Sequence, residues 1–481
     1  MIGLQELNLA YHYPIVYWNT ACLIVNAGAD ESVEENKSTD YGKIATAISQ
    51  MQNRGINISL PLINTADFGF TPDEQNNRII YALKAINGIG DDVVRLLLEN
   101  RPYSSFGDFC ARMIDTKLIK NSQMIQLIKA GCFVELDDTN RQTTMKKYLE
   151  TYAITPCKKL TFAQFDRMID LNSKYPFIPQ SVVMGIRHKY FLDYVLAGRW
   201  KPYVDSKIKR KIPKSGYHDR CFILDSDAME FFKEFYSEDS IVGTEGNSYI
   251  ISEKKFKKEN SMFLEPLREY MASDLALKYY NMALAKEAYD KYASGSIPQW
   301  EMESLSIYIE HHYLEKLPEE KYGVVNFFEL PEEPEPYEFY YRTITVQSES
   351  GEIKKEVRKF PKYPIVRLAG TIIDKDKDKH LLTLLTTHGV VTCKLPKGQY
   401  LYYDRKVNEQ QSNGKKKTLE NSWFERGNSL LVCGHRSENI FRVHKYSDTL
   451  YKHCIFLITN IYDNGEIDVK TERMEVEDKH G

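Results

Sequence analysis

Apolar positions recur at helical spacing through most of the first two-thirds of the chain and give way to strand-length runs in the last third. Residues 1 to 10 enter directly into helical spacing with no N-cap, and Pro14 then opens a second run, Ile15 to Val25, rich in Trp18, Leu23 and Ile24. Residues 41 to 54 place Ile44, Ile48 and Met51 on one helical face. Residues 55 to 61 predict a short strand ended by Pro61, and Phe68, Phe70 and the run 78 to 81 predict extended pieces flanking a polar turn at 73 to 77. Next, Leu83 and Ile86 precede Gly88-Ile89-Gly90, and an apolar face of Val93, Val94, Leu97 and Leu98 follows it. That pattern specifies two short helices joined by a Gly-x-Gly hairpin. Residues 102 to 113 and 119 to 133 add two further segments, the second closing at Gly131 as a C-cap.

Residues 157 to 295 read as mainly helical, with basic clusters at 199 to 211 and 254 to 258. An acidic, proline-rich stretch at 331 to 336 has the composition of an extended linker. Beyond it, strands are predicted at 365–373, 380–387, 390–395, 429–433, 440–444, 455–462 and 467–470, with a small helical piece at 399–404. The loop 408 to 418, with Lys415, Lys416 and Lys417, is read as polar and mobile. The expected fold class is multidomain α+β: a mostly α-helical N-terminal two-thirds containing a helix-hairpin-helix, then a small closed β-barrel like an OB-fold.

Charge narrows the function. Lys plus Arg number 64 against 67 Asp plus Glu, a net charge of −3, so any nucleic-acid surface must be local. The eight cysteines show no C-x-x-C pair, and no signal peptide or long apolar run is visible. The expectation is a reduced, cytoplasmic chain with no membrane partner.

In the hairpin, Gly88 and Gly90 are expected to take positive φ and admit close approach of a partner. Free N–H groups at the start of the following helix favour an anion, here a DNA phosphate held without sequence reading, aided by Lys84 and Arg95. Asp91 and Asp92 suit the helix N-terminus but oppose a phosphate, and an ordinary helix corner explains the glycines as well. Three features mimic metal sites. Asp225 and Asp227 follow a strand-like run but fit a helix N-cap equally. Residues 374 to 379 begin like a calcium loop yet lack its glycine and closing glutamate, so a charged turn is expected. His311-His312 lacks zinc-helix spacing.

Four stretches together resemble the C-terminal part of the bacterial or phage-type replicative DNA polymerase III alpha subunit, the C-family polymerases. They are residues 3–14 ending in His12-Tyr13-Pro14, residues 54–64 with Arg54-Gly55-Ile56 and Pro61-Leu62-Ile63-Asn64, residues 80–133 closing in Leu127-Ile128-Lys129-Ala130-Gly131-Cys132-Phe133, and residues 303–312. Leu62 stands where the family has a second proline, and His312 where it has a His-Pro step. The resemblance implies the end of the fingers at 1–79, a tandem helix-hairpin-helix at 80–156, a region of unassigned role at 157–330, a linker at 331–362 and an OB-like barrel at 363–481. It implies DNA contacts at Lys84, Gly88, Ile89, Gly90, Arg95 and Lys129 for the duplex. For single-stranded template the barrel candidates are Arg367, Lys394, Lys397, Tyr400, Tyr402 and Arg442.

No catalytic or metal-binding residue is assigned to this chain. The family's two-metal carboxylates lie in a palm that precedes the fingers, so magnesium is expected there, and no cofactor here. The sliding-clamp docking segment is not recognisable, since Gln299-Trp300 lacks the apolar tail. The leading expectation is a DNA-binding polymerase portion working with a separate palm-bearing chain. Alternatives are a free-standing DNA-binding accessory protein of replication or repair, and an interaction scaffold whose hairpin is only structural.

Overall fold

Pro14 supplies the φ that begins α1 (Ile15–Ala27), which ends on Gly28 at φ 59. This computed structural model describes residues 14–29, 39–136, 140–203, 219–347, 353–410, 416–444 and 454–474. The helix expected at 1–10, the basic run 207–211 and Lys415 lie outside the described residues. The chain divides into two compact units, residues 1–147 with 295–481, and residues 148–294.

In the first unit, Asp40 caps α2 (Tyr41–Gln52) by accepting the Lys43 N–H at 3.1 Å. β1 (Asn57–Ser59), β2 (Thr71–Asp73) and β3 (Arg78–Ile80) form a sheet in the order β1-β3-β2. One 3-10 turn, Leu83–Ala85, then leads through Gly88-Ile89-Gly90 to α3 (Asp91–Glu99). The first helix of the hairpin is thus shorter than expected. Tyr81, Ala82, Leu83, Ala85 and Ile86 are all fully buried, so this segment is held by tertiary packing on every side and needs no helical stripe. α4 (Phe106–Met113), α5 (Asn121–Lys129) and α6 (Arg141–Tyr148) follow.

The second unit is built from α7 (Phe165–Lys174), α8 (Val183–Ala197), β4 (Trp200–Tyr203), β5 (Asp219–Ile223), α9 (Ser226–Phe235), β6 (Ile241–Glu245), β7 (Ser248–Ser252), α10 (Glu253–Ala272) and α11 (Asp274–Tyr292). Its antiparallel sheet, ordered β4-β5-β7-β6, adds strands to a region read as mainly helical. A two-residue Gly246-Asn247 turn between β6 and β7 was the legible hairpin signal. Asp225 is the N-cap of α9, accepting the Ala228 N–H at 2.9 Å, which is the structural reading of that aspartate pair.

The first unit resumes with α12 (Ile297–Leu305) and a long two-stranded ribbon, β8 (Glu338–Gln347) against β9 (Ile353–Lys362). The stretch expected as a linker is therefore largely strand. Its two sides carry mixed apolar and charged residues, so no period-two pattern marks it. β10 (Val366–Asp376), β11 (Leu381–Thr386), β12 (Gly389–Lys394), α13 (Lys397–Asp404), β13 (Val407–Gln410), β14 (Lys416–Glu420), β15 (Ser429–Ser437), β16 (Ile440–Val443), β17 (Ile455–Ile461) and β18 (Ile467–Lys470) complete it. β13 and β14 pair within the expected polar loop.

Five of these strands close on themselves in the order β10-β11-β12-β16-β15-β10, with β12 and β16 parallel and the other pairs antiparallel. With α13 between β12 and β15, this is the OB topology. Leu368, Ile372, Leu384, Val432 and Phe441 fill the interior with Tyr400, Tyr403 and Trp423. Residues 374–376 end β10 and 377–380 form the β10–β11 turn, where Asp376 accepts the Lys379 N–H at 2.9 Å.

A buried ion pair joins α6 to α12 and to the segment that follows α12. Arg141 and Glu301 are 3% and 0% exposed at the side chain and meet at 2.8 Å. Arg141 also reaches Glu310 at 2.9 Å and the Lys129 carbonyl at 3.2 Å, while Glu301 accepts the Ile309 and Glu310 N–H groups. Burial pushes the Glu301 carboxyl up, and Arg141 and these N–H groups oppose it. Further along, the Tyr308 hydroxyl shares a hydrogen bond with Thr371 of β10, which in turn meets Ser429 of β15, each at 2.8 Å. Replacing Arg141 by Met leaves Glu301 buried without its cation and should cost about 3–5 kcal/mol, read by denaturant unfolding. Adding Glu301→Gln should recover part of that loss.

His312 packs its ring 4.4 Å from Tyr308 and accepts the Leu314 N–H at 3.0 Å. Burial holds its pKa down at about 4, with His388 adding to the effect, and His188, His435 and His444 are lowered in the same sense. A neutral imidazole in the fold that protonates near its ordinary 6.5 when unfolded contributes stability above that pH. That stability is lost as pH falls toward 4. The melting temperature should therefore drop across this window, and His312→Asn, which keeps a capping acceptor, should flatten the drop.

Candidate nucleic-acid interface

Gly88 takes φ +77, as the hairpin requires, whereas Gly90 is extended at φ −87. Any residue adopts that conformation, so the expectation of positive φ at Gly90 does not hold. A Cβ built on Gly90 would meet nothing within 4 Å. Neither the backbone nor the neighbouring atoms of the chain therefore demand glycine at Gly90. What its small size does provide is access for a partner to the exposed turn and the first turn of α3.

The N–H inventory of the turn is sharply divided. Asn87 N–H donates to the Ser304 carbonyl at 2.8 Å and Ile89 N–H to the Ile86 carbonyl at 3.2 Å. Gly88 and Gly90 N–H groups have no acceptor among the described residues, and both residues are exposed. Ile89 is 4% exposed and anchors the turn by its side chain, so its expected role as a direct contact is replaced by a positioning one. Helix α3 opens with the Val94 N–H to Gly90 carbonyl bond at 3.1 Å, which leaves the N–H groups before it without intrahelical acceptors.

α12 clasps this hairpin from behind. Besides the Asn87 bond, Asn87 Nδ2 reaches the Glu303 carbonyl at 3.2 Å, and the Tyr81 hydroxyl donates to the Leu305 carbonyl at 2.7 Å. The Glu303 carboxylate accepts from Gln126 at 3.2 Å and from Lys129 at 2.6 Å. Lys129 is thus buried in an ion pair and holds the hairpin rather than facing a ligand, a correction to its expected DNA contact. Lys84 is paired with Asp91, which neutralises the nearer of the two aspartates at the helix start. Arg95 is exposed on α3 with no carboxylate partner among the described residues.

The second hairpin, α4 to α5, is tied to the same body. Asn64 bonds Tyr103 twice at 2.9 Å, and Ile63 N–H donates to the Cys132 carbonyl at 2.8 Å. Gly131, at φ +81, lies so close to Arg141 that a Cβ would meet its guanidinium at 2.8 Å, so the glycine seats the buried arginine. Lys117 and Lys120 stand exposed in this second turn. The sequence reading passed over them, although the polar run 115–117 marks a turn between the two helices.

On the barrel the candidates separate. Tyr400 is 0% exposed and packs among His380 and Phe424, so it belongs to the core and offers no face to a base. Arg405 covers the ring of Tyr402 at 4.9 Å. Lys394 donates to the Lys379 carbonyl, and Arg367 is exposed while donating to the Tyr322 carbonyl at 3.1 Å. Arg442, next to Lys394 across the parallel pair, lines a groove shared with Glu332, Glu333 and Glu335, whose carboxylates oppose a phosphate there. Lys397 is exposed at the start of α13. The outer sides of β10 and β11 are also occupied: α2 packs along β10, β11 and β12, and Thr371 and Ile373 are fully buried. The strand face that OB-folds offer to single strands is in part covered by the chain itself.

Comparison with known proteins agrees with this geometry. A helix-hairpin-helix motif family matches residues 55–144. The chain is 38% identical over 484 aligned residues to a probable DNA polymerase, YorL, of Bacillus subtilis (strain 168), covering 99% of this chain and 34% of that protein. The same figures hold for a DNA-directed DNA polymerase of Bacillus phage SPbeta. It is 34% identical over 139 residues, 28% of this chain and 11% of that protein, to a DNA polymerase III subunit alpha of Pseudomonas fluorescens. The chain spans about a third of the length of the first two relatives. No helix among the described residues is long and apolar enough to cross a membrane. With the paired hairpins and the OB barrel, the chain is thus similar along nearly its whole length to a part of bacterial and phage DNA polymerases, and along part of its length to DNA polymerase III alpha subunits.

Proposed function

We propose that this chain is the DNA-gripping portion of a replicative DNA polymerase and holds the duplex by its phosphates while a palm elsewhere performs template-directed synthesis. The observation that carries the reading is Gly90. It is a glycine with ordinary extended backbone and open space around it, beside two N–H groups with no acceptor among the described residues, at the start of a helix. A phosphate oxygen placed there gains those donors and the positive end of α3. Arg95 from the first hairpin and Lys117 and Lys120 from the second supply the cations, in place of Lys84 and Lys129, which are committed to Asp91 and Glu303.

Nucleotidyl transfer in this reading rests on palm carboxylates and magnesium outside this chain. Of the aspartates that resemble metal ligands in sequence, Asp225 caps α9 and Asp376 accepts a backbone N–H in a strand turn. The barrel candidates left accessible, Arg367 and Lys397, would lie along template, and a palm-bearing chain would be the partner in the reduced cytoplasm. A clamp contact has no support from Gln299-Trp300, since Trp300 is 1% exposed.

The test is duplex binding by the full chain at two salt concentrations, for wild type and Gly90→Val. Valine tolerates the extended backbone, so the melting temperature should hold within a few degrees while duplex affinity falls at least tenfold. Arg95→Ala should make the slope of log K against log salt shallower by about 1. Unchanged affinity in a folded Gly90→Val protein overturns the phosphate grip. Failure of a palm-bearing chain to bind this one, or to gain primer extension from it, overturns the division of labour.

A further inference from the structure

The β8–β9 ribbon has an asymmetry that the hairpins and barrel do not use. Each strand runs ten residues, and among the described residues the two pair only with each other. An isolated two-stranded ribbon is marginal in water by itself, so long exposed apolar residues on one need a reason. Cross-strand register sorts its side chains into two faces. On one face Lys362 pairs with Glu338 at 2.6 Å, Arg358 with Glu356 at 3.0 Å, and Tyr340 stacks on Phe360, while Arg342 stands exposed opposite Arg358. The opposite face carries Phe339, Tyr341, Val357 and Ile353, with Tyr341 70%, Val357 68% and Ile353 72% exposed. Tyr337, 67% exposed, extends that face, its N–H continuing the ladder to the Lys362 carbonyl at 3.0 Å.

Lys355 and Lys359 share this second face, and neither has a carboxylate partner among the described residues. The Lys359 ammonium lies 3.8 Å from the centre of the Phe339 ring. Exposed rings in a row with cations and no carboxylates on the same face are the combination that holds single-stranded nucleic acid, rings for bases and cations for the backbone. Tyr337, Phe339 and Tyr341 recur every second residue, about 7 Å apart along the strand, roughly twice the rise of a stacked base. A duplex hides its base faces and would leave these rings without partners.

We infer that this face of the ribbon is a binding surface for single-stranded DNA. The inference rests on the proposed DNA-holding role and assigns to the ribbon the template contact that the covered faces of β10 and β11 leave open. The surface is sequence-tolerant, because every base offers a ring face.

The experiment uses the full chain with two labelled probes, oligo-dT and a duplex, at two salt concentrations. The variants are Phe339→Ala with Tyr341→Ala, and Lys355→Gln with Lys359→Gln. The ring pair should weaken oligo-dT binding by about tenfold or more and leave duplex binding unchanged. The lysine pair should make the oligo-dT salt slope shallower by about 1.4, two phosphates at about 0.7 each. Oligo-dT affinity that is unchanged in both variants overturns the inference, as does a loss of self-association with no change in DNA affinity. If ribbon variants keep single-strand binding while Gly90→Val loses the duplex, the ribbon assignment falls and the phosphate grip stands. The reverse result leaves the ribbon standing and removes the grip. A wild-type chain that binds neither probe removes both.

Discussion

The buried Arg141–Glu301 pair is the constraint on which the first unit depends. Two charges removed from water are tolerable only when geometry and extra hydrogen bonds compensate, and this pair has both. Arg141 reaches Glu301, Glu310 and the Lys129 carbonyl, and Glu301 takes two backbone N–H groups as well. These bonds fix the end of α5 and the turn after α12 relative to each other. From that point Glu303 and Ser304 hold the first hairpin, and Tyr308 ties the same segment to β10. The Gly88–Gly90 hairpin and the OB barrel, distant in sequence, are thereby parts of one folded body.

Charge economy follows from this arrangement. In a chain of net charge −3, a cation spent on internal pairing is lost to DNA. Lys84, Lys129 and Arg141 all sit near the hairpins and all are engaged with carboxylates. Exposed cations include Arg95, Lys117 and Lys120 on the hairpins, Arg342, Lys355 and Lys359 on the ribbon, and Arg367 and Lys397 on the barrel. The exposed positive charge is therefore narrow and local, with no general basic field around the Gly88–Gly90 turn.

Much of the fold was legible, and the reason differs by region. Barrel strands such as 381–386 and 389–394 alternate between a packed interior and an outer side, so their period shows in the sequence. Gly131 announced its helix end through positive φ. The first hairpin helix was overestimated because Leu83 and Ile86 look like one face of a helix when in fact the whole segment is enclosed. The ribbon was missed because neither face is buried, so nothing selects an alternating pattern. For the site, a fully buried Tyr400 and an exposed Tyr341 are the same residue type in equally aromatic surroundings, and only burial tells them apart.

The sequence by itself determined the order of the parts: a Gly-x-Gly turn before an amphipathic helix, a second helical hairpin closing at Gly131, and a closed barrel after an acidic proline-rich stretch. Those signals are local, written in φ requirements and in the spacing of apolar residues, so a linear reading recovers them. Tertiary structure alone decided which groups face outward. Pairing of Lys129 with Glu303 spans 174 positions and that of Arg141 with Glu301 spans 160. No local pattern encodes such pairs, and they are what separate a cation that holds the fold from one left exposed at the surface.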